Sequence, residues 1–325
     1  MPTVIEIFSG IPNELKQYYS KKMLDVANTD LLYERFADKT GIPSREGKSV
    51  NWRRFERFTI TVGSYTLSEG TAPMAVNATI NSVSATISQY GQHAQISDLL
   101  ETQAIDPLLT QYAERFGEAM KEGRDVVVRA ELSNITTIQY ADTAHQVGTS
   151  GTGSVGSGNY LDSSEILEAK RTLRRNGAKP YPGLGFVCLI HPDNDKDLKE
   201  DPDIVDNLQY AGDRGASNPL ISGEDSWKWA GVTFIVNNNL LLRTSYGMSG
   251  ADTYEVVMFG QNLYGVTELS AQSASLIIHP RGTGGHIDPL DQKSTVGWKT
   301  AMAAKILNNN FGVLIHCASS RSNAS

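Results

Sequence analysis

The longest helical pattern in the chain lies over residues 107–132. Apolar residues recur there at intervals of three and four, as on one buried helix face: Leu109, Tyr112, Ala113, Phe116, Met120, Val127 and Ala130. Asp106 can cap this helix, and Pro107 suits its first position. At about 1.5 Å per residue the helix would be a rod of roughly 39 Å, so we interpret it as a spine of the fold.

An alternating pattern precedes the helix. Over residues 50–62 the even positions are Val, Trp, Arg, Glu, Phe, Ile and Val, whereas the odd positions are mostly polar, which predicts a strand. A turn region at 63–78 leads to a second predicted strand at 79–90, rich in small polar residues. An isolated two-stranded ribbon is marginal in water. Because this one has few apolar groups to bury against its own chain, we expect it to lean on something else.

The remaining patterns mix helices and strands. Helices are predicted over 12–37, 163–176, 193–211 and 297–308. Strands are predicted over 185–192, 227–242, 254–269, 273–280 and 310–319. Asp162 begins helix 163–176 with the capping box DSSE. This order predicts an α+β protein rather than a regular βαβ alternation.

Composition is that of an ordinary globular protein. The 325 residues are 40% apolar and 20% charged, with a formal net charge of -7. That charge argues against a coat that holds nucleic acid through basic residues. The two cysteines, Cys188 and Cys317, lie in apolar runs and are expected to be buried free thiols in a reducing compartment. Neither a membrane span nor a signal peptide is predicted.

Two glycine-containing stretches resemble nucleotide-binding loops but lack their context. Between Gly41 and Ser49, five residues rather than four separate the glycines, and the predicted order of helix, loop and strand reverses that of a phosphate-binding loop. Between Gly151 and Gly156 the spacing matches a dinucleotide fingerprint, yet the next helix begins only near Asp162. A nucleotide-binding enzyme that uses either stretch remains the alternative from a different functional class.

Other candidate chemistry is equally weak. Residues 193–204 resemble a calcium loop, but Leu198 and Ile204 stand where glycine and glutamate are required. The six histidines are scattered without metal-ligand spacing. Residues 52–57, WRRFER, mix aromatic and basic side chains. In an acidic protein we interpret them as a subunit contact, or as charges that prevent aggregation of the ribbon, rather than as a nucleic-acid site. No catalytic residue, cofactor or metal site is therefore predicted.

Three stretches carry a resemblance to a known family: TLSEGTAP at 66–73, SQYGQHAQISDLLETQAIDPLL at 88–109 and GWKTAMAAKILNNNFGVLI at 297–315. In this order they resemble the major capsid proteins of tailed bacteriophages, and more narrowly the group related to the phage N4 capsid protein. The resemblance covers about residues 20–318. It implies the HK97-like fold and a structural, non-enzymatic protein that self-assembles into the hexamers and pentamers of an icosahedral head around double-stranded DNA.

The resemblance also implies a division of the chain into segments. These are an N-terminal arm at 1–45, an extended hairpin called the E-loop at 46–85, a P-domain with the spine helix at 86–134, an A-domain at 135–280, and a C-terminal return at 281–325. The E-loop of this fold lies across a neighbouring subunit.

Candidate contact residues follow from the same resemblance. Arg53, Arg54 and Arg57 would make ion pairs between subunits, and Glu69 and Gly70 would lie at the tip of the ribbon. That tip contains no lysine. We therefore do not expect the covalent Lys–Asn cross-link of the best-known relative.

The implied partners are other copies of the chain, a portal, and scaffolding or decoration proteins. Double-stranded DNA would be enclosed without sequence-specific binding, and no membrane would be involved. The implied location is the virion capsid, assembled in the cytoplasm of the host bacterium. An encapsulin-like compartment that holds enzymes is the alternative within the same fold.

Overall fold

The computed structural model describes residues 32–43, 47–56, 77–103, 108–141, 155–210, 226–269, 274–283 and 290–321, with the single residues 45, 58, 69 and 70. Its helices are α1 (Asp98–Gln103), α2 (Leu108–Leu132), α3 (Ser163–Arg175), α4 (Pro192–Glu200) and α5 (Pro202–Tyr210). Its strands are β1 (Asp38–Ile42), β2 (Ser49–Phe55), β3 (Ile80–Thr86), β4 (Ser88–Ser97), β5 (Ile138–Tyr140), β6 (Phe186–Ile190), β7 (Ser226–Trp229), β8 (Val232–Val236), β9 (Leu242–Arg243), β10 (Thr253–Phe259), β11 (Tyr264–Leu269), β12 (Ser275–His279), β13 (Lys293–Ile306) and β14 (Gly312–Cys317).

Three sheets organise these strands. The core sheet has the order β5-β14-β10-β6-β8-β7, with β9 beside β10. The spine sheet has the order β1-β11-β13-β12, with β4 also paired to β13. The ribbon is the antiparallel pair β2–β3, in register from Ser49↔Thr86 to Phe55↔Ile80. Parallel pairs such as β6–β8 and β1–β11 stand beside antiparallel ones, and the mixture of helices and strands is consistent with the predicted α+β class.

The main hydrophobic core surrounds the core sheet. Strands β6, β10 and β14 are buried along their whole lengths. Helix α3 adds buried side chains such as Leu173, and the end of α2 adds Leu132. Strands covered on both faces are mostly apolar, which explains the run FVCLI in β6 and the run VLI in β14, whereas Glu255 in β10 and His316 in β14 are buried polar exceptions. Both cysteines are buried free thiols, as predicted, and burial raises the pKa of each.

Helix α2 lies along one face of the spine sheet. Phe116 and Met120 from the helix form a second buried cluster with Val296 and Trp298 from β13. Gly123 faces the Trp298 ring, because a Cβ at this position would lie 3.2 Å from it. Glycine in a helix costs about 1 kcal/mol relative to alanine, and here it admits the indole. The predicted spine helix is thus confirmed over Leu108–Leu132, while Asp106 and Pro107 lie outside the described residues.

Two other helix predictions are confirmed with adjusted ends. Helix α3 begins as predicted, because the Asp162 carboxylate accepts a hydrogen bond of 2.9 Å from the Glu165 backbone N–H. The predicted helix at 193–211 is two helices, α4 and α5. They meet at Asp201 and Pro202, where Asp201 has extended backbone. The residue before a proline disfavours helical backbone, so the helix stops there.

The helix predicted at 297–308 is wrong. Most of this segment belongs to β13, which runs from Lys293 to Ile306. Strands β4 and β12 pair with its first half on opposite edges, and β11 pairs with its second half. The alanine-rich sequence favours a helix locally. Hydrogen bonds to strands distant in sequence override that preference.

Two further predictions need correction near the N-terminal end. The predicted helix at 12–37 retains only a 3₁₀ turn at Tyr33–Arg35 within the described residues, and β1 follows it. The parallel pairing of β1 with β11 holds Asp38–Ile42 extended. The single strand predicted at 79–90 is two strands, because β3 pairs with β2 whereas β4 crosses to β13.

A buried ion network fastens the N-terminal turn to α2. The Arg124 guanidinium donates to Glu34 at 2.6 Å through Nε and to Glu268 on β11 through Nη2. Arg124 and Glu34 are almost fully buried. The neighbouring Asp125 carboxyl accepts backbone hydrogen bonds from Tyr33 and lies near Glu34. Because breaking a buried pair leaves an uncompensated charge, this network fixes where the chain enters the spine sheet.

Candidate assembly surface

The inner face of the ribbon is attached to its own spine sheet. The Trp52 indole N–H donates to the Thr40 hydroxyl at 3.1 Å. The indole ring covers Gly265 of β11, where a Cβ would lie 3.0 Å from the ring. On the same face, Ala85 of β3 is buried. A half-buried alternating strand of this kind shows one face to its own protein and the other to solvent.

Arg54 also belongs to the inner face, and its partners lie in its own chain. Its guanidinium donates to Glu56 at 2.6 Å and to the Leu307 carbonyl at 3.2 Å. Hydrogen bonds from Arg54 and from Asn81 lower the pKa of Glu56. The guanidinium thus bridges the ribbon and the end of the spine sheet.

The outer face of the ribbon is exposed. It consists of alternate residues of the two strands: Asn51, Arg53, Phe55, Ile80, Ser82 and Ser84. Phe55 and Ile80 form a directly opposed cross-strand pair, and they are 69% and 53% exposed. Phe58 is 48% exposed just beyond them. Because exposed apolar side chains that lie together are typical of contact sites, the outer face of the ribbon is the candidate contact surface.

The predicted contact residues differ in where the structure places them. Arg53 lies on the exposed outer face, whereas Arg54 is bound to its own chain. Glu69 and Gly70 lie in an exposed turn, with Gly70 in the left-handed region at φ 80°. Arg57 lies outside the described residues.

Phe55 and Ile80 are contact candidates that the sequence patterns did not single out. Phe55 is an aromatic residue at one of the mostly polar odd positions of β2, and this break in the alternation was the available signal. The partner Ile80 could not be identified without the ribbon register, which pairs residues 25 positions apart in the chain.

The nucleotide-binding stretches do not form phosphate loops in the described residues. Gly41 lies within β1, and Ser49 is the first residue of β2. Strands therefore flank this loop on both sides. A phosphate loop instead opens a helix, whose N-terminus holds the anion. Gly151 lies outside the described residues, and Gly156 precedes α3 without belonging to it.

Neither a metal site nor a membrane-spanning helix is found in the described residues. Among the residues that the structure describes, no group of three or more His, Cys, Asp or Glu side chains could hold a metal ion. None of the helices in the described ranges combines the length and apolar character of a membrane span.

The family comparison decides what kind of protein carries this surface. A family model described as phage capsid protein matches residues 80–308, well over half of the chain. The chain belongs to this family of phage capsid proteins. This capsid protein is therefore structural and non-enzymatic, and it assembles with copies of itself into an icosahedral shell as a virion component. A search of curated proteins finds no match.

Solved structures similar to this capsid protein have the HK97-like fold. The capsid of cyanophage Pam1 aligns with a TM-score of 0.66 at 17% identity, over 85% of this chain and 86% of that one. The capsid of cyanophage P-SCSP1u aligns with a TM-score of 0.64 at 16% identity, over 90% and 89%. A virus-like particle from Pyrococcus furiosus aligns with a TM-score of 0.51 at 14% identity, over 93% and 99%.

Proposed function

We propose that this capsid protein forms the hexamers and pentamers of an icosahedral phage head that encloses double-stranded DNA. The family match over residues 80–308 carries this proposal. The net charge of -7 suits a container that does not hold its DNA tightly. A portal and scaffolding or decoration proteins would be further partners, with assembly in the cytoplasm of the host bacterium. Within the family, we propose that the chain belongs to the group related to the phage N4 capsid protein.

The proposed segments are those expected from the sequence: arm 1–45, E-loop 46–85, P-domain 86–134, A-domain 135–280 and return 281–325. The spine helix and its sheet support the P-domain, and the core sheet supports the A-domain. The ribbon would be the base of the E-loop, with Glu69 and Gly70 near its tip.

The ribbon would contact a neighbouring subunit through its outer face. Arg53 and Arg57 are the proposed ion-pair donors to that neighbour. Arg54 would instead hold the ribbon against its own spine sheet, because its guanidinium already donates hydrogen bonds to Glu56 and to the Leu307 carbonyl of its own chain. Many modest contacts of this kind, repeated by symmetry, would stabilise the shell.

Electron microscopy of the purified protein after gel filtration tests the proposal. Uniform shells, or rings of five and six subunits, are the expected result. Nuclease-protected duplex DNA inside particles from infected or expressing cells would support a genome container. Protein cargo without nucleic acid would favour the encapsulin-like alternative. A small species at every concentration, even with the scaffold protein supplied, would contradict the shell.

Charge reversal tests the ribbon contact. The double variant Arg53→Glu, Arg57→Glu should give a folded subunit by circular dichroism that fails to form particles. The matched control is Arg174→Glu, Arg175→Glu, which reverses two exposed charges at the end of α3. Normal particles from the ribbon variant would remove the ribbon from the interface.

A further inference from the structure

The turn at Tyr33–Arg35 is buried, although it is short and belongs to no sheet. Tyr33 and Glu34 are each 1% exposed, and Phe36 is 7% exposed. The neighbouring strand β1 begins only at Asp38. Residues 32–36, which we call the latch, are therefore held by side-chain packing and by hydrogen bonds to other elements.

The latch is attached to both large sheets. On the side of the core sheet, the Tyr181 hydroxyl donates to the Phe36 carbonyl at 2.9 Å, and the Phe36 ring packs edge-to-face on Phe259 of β10. On the side of the spine sheet, the Tyr264 hydroxyl of β11 donates to the Tyr33 carbonyl. The latch therefore joins the two sheets, and its release would leave the strand pairing within each sheet intact.

Three carboxyl groups meet one guanidinium where the latch contacts α2. Arg124 donates to Glu34 of the latch and to Glu268 of β11, and the Asp125 carboxyl lies close to Glu34. Arg124 and Asp125 are each 5% exposed. With every carboxyl group ionised, three negative charges would face one positive charge. Because an uncompensated buried charge is costly, the closed latch is favoured while one carboxyl group keeps its proton.

Asp125 is the carboxyl group that keeps the proton. The carboxylates of Glu34 and Glu268 accept hydrogen bonds from the guanidinium. Asp125 Oδ1, by contrast, has no hydrogen-bond partner among the described residues. Burial, and then the nearby Glu34, raise the pKa of Asp125 to about 7.

Opposing influences on Asp125 are smaller. The backbone N–H groups of Tyr33 and Leu32 donate to its carboxyl, and the Lys121 ammonium lies nearby, and each of them favours the ionised form. Lys39 lies 3.9 Å from Glu34, but its side chain is 61% exposed and its charge is screened by solvent. The charged and titratable groups around the site are Lys121, Arg124 and Arg129 of α2, Tyr33 and Glu34 of the latch, Lys39 of β1, and Tyr264 and Glu268 of β11.

We propose that the latch is a pH-sensitive fastening, closed while the Asp125 carboxyl is protonated and opened locally when that proton is lost near neutral pH. Opening would withdraw Tyr33 and Phe36 from the space between the two sheets. The pairing of β1 with β11 starts at Asp38 and would remain. Protonation of one buried carboxyl group would thus set how firmly the spine sheet is held to the core sheet.

Hydrogen exchange of full-length, unassembled subunits, read by mass spectrometry, tests the latch. Exchange of peptides that cover residues 32–36 is measured at pH 5 and at pH 8 in the wild type and in Asp125→Asn. Dividing the wild-type rate by the variant rate at the same pH cancels the intrinsic pH dependence of exchange. This ratio should be close to one at pH 5 and should rise to about 30 at pH 8. Peptides from β10 should stay protected at both pH values, because the opening is local.

Asp38→Asn is the matched control, because it removes an exposed carboxylate from the neighbouring β1. Its exchange should follow that of the wild type at both pH values. Glu34→Gln is a second variant: it removes one of the three negative charges, so exchange of its latch should rise less between the two pH values.

Two results would overturn the latch. One is a wild-type exchange that rises no more with pH than that of Asp125→Asn and Glu34→Gln. The other is a loss of protection in β10 together with the latch, which would mean global unfolding. Because the readout is a single subunit, either result leaves the proposed shell standing, and a failure to form particles leaves the latch standing.

Discussion

The core sheet and the ribbon use aromatic and β-branched residues in opposite ways. All of β10 is buried, whereas β2 alternates between exposed and half-buried positions. Phe259 in β10 is fully buried among the rings of Phe36, Tyr181 and Tyr264. Phe55 in β2 is 69% exposed. The core sheet buries its strands on both faces within one chain, whereas the ribbon buries only its inner face.

This contrast implies that folding and assembly depend on different residues. The burial of apolar surface is the main favourable term in both processes. In the core sheet that burial takes place when one subunit folds. On the outer face of the ribbon it requires a second subunit, so substitutions there should change the particle and leave the subunit intact.

The largest expected effect compares two phenylalanines. Phe259→Ala should lower the free energy of unfolding by about 3–5 kcal/mol, because it removes a fully buried ring and leaves a cavity. Phe55→Ala should change the unfolding free energy of the subunit by less than about 0.5 kcal/mol, as at other exposed positions. Urea unfolding of unassembled subunits measures both. Equal losses in the two variants would contradict the separation of folding from assembly.

An intermediate effect is expected at the buried ion network between the N-terminal turn and α2. Burial, and then the nearby Glu34, raise the pKa of Asp125 from its ordinary value of 3.8 to about 7. The folded state therefore holds this proton more tightly than the unfolded state. The stabilisation that this proton contributes is fully present below about pH 4 and is lost as the pH rises towards about 7.

Unfolding at pH 5 and at pH 8 measures this dependence. The charged groups that face Asp125 are Glu34, Lys121 and, through Glu34, Arg124. The free energy of unfolding should be higher at pH 5 than at pH 8, and Asp125→Asn should reduce this difference by about 2 kcal/mol. The exposed Asp206→Asn on α5 is the control and should leave the difference unchanged. A wild-type subunit that is more stable at pH 8, with no change on substitution, would contradict the assignment.

The smallest expected effect concerns the attachment of the ribbon. Gly265→Ala places a Cβ 3.0 Å from the Trp52 ring and 3.3 Å from the Asp38 carbonyl oxygen. We expect a loss of about 1–2 kcal/mol from this overpacking, together with faster proteolysis of the ribbon. Adding Trp52→Ala should recover part of the loss, since the two residues are in contact. Gly158→Ala is the control, because nothing lies within 4 Å of its new Cβ.

Local patterns predicted the elements whose structure is decided locally. Helix α2 forms where apolar residues recur at helical spacing, although Tyr112 and Ala130 of that pattern are exposed, and α3 begins at its Asp162 cap. The alternation in β2 correctly assigns Trp52 and Arg54 to one face and Arg53 to the other. Strand β13 could not be predicted in this way, because its alanines favour a helix and its strand partners lie far away in the chain.

The candidate surface shows the same division. The sequence predicts an exposed, arginine-bearing ribbon that needs a partner. It does not predict that the Arg54 guanidinium donates a hydrogen bond to the Leu307 carbonyl, because that contact depends on the approach of a remote strand. The alternation assigns Phe55 to the polar face of β2, but it does not show that Ile80 lies directly opposite.

Strand β13 also has a mechanical consequence. It runs unbroken from the cluster around Trp298 to the main core at Ile306, with hydrogen-bonded neighbours on both edges of its first half. Tension applied along such a strand loads these hydrogen bonds together, in shear, instead of peeling them apart one at a time. In a closed shell, tension directed along β13 would therefore be borne by these hydrogen bonds together, between the two halves of each subunit.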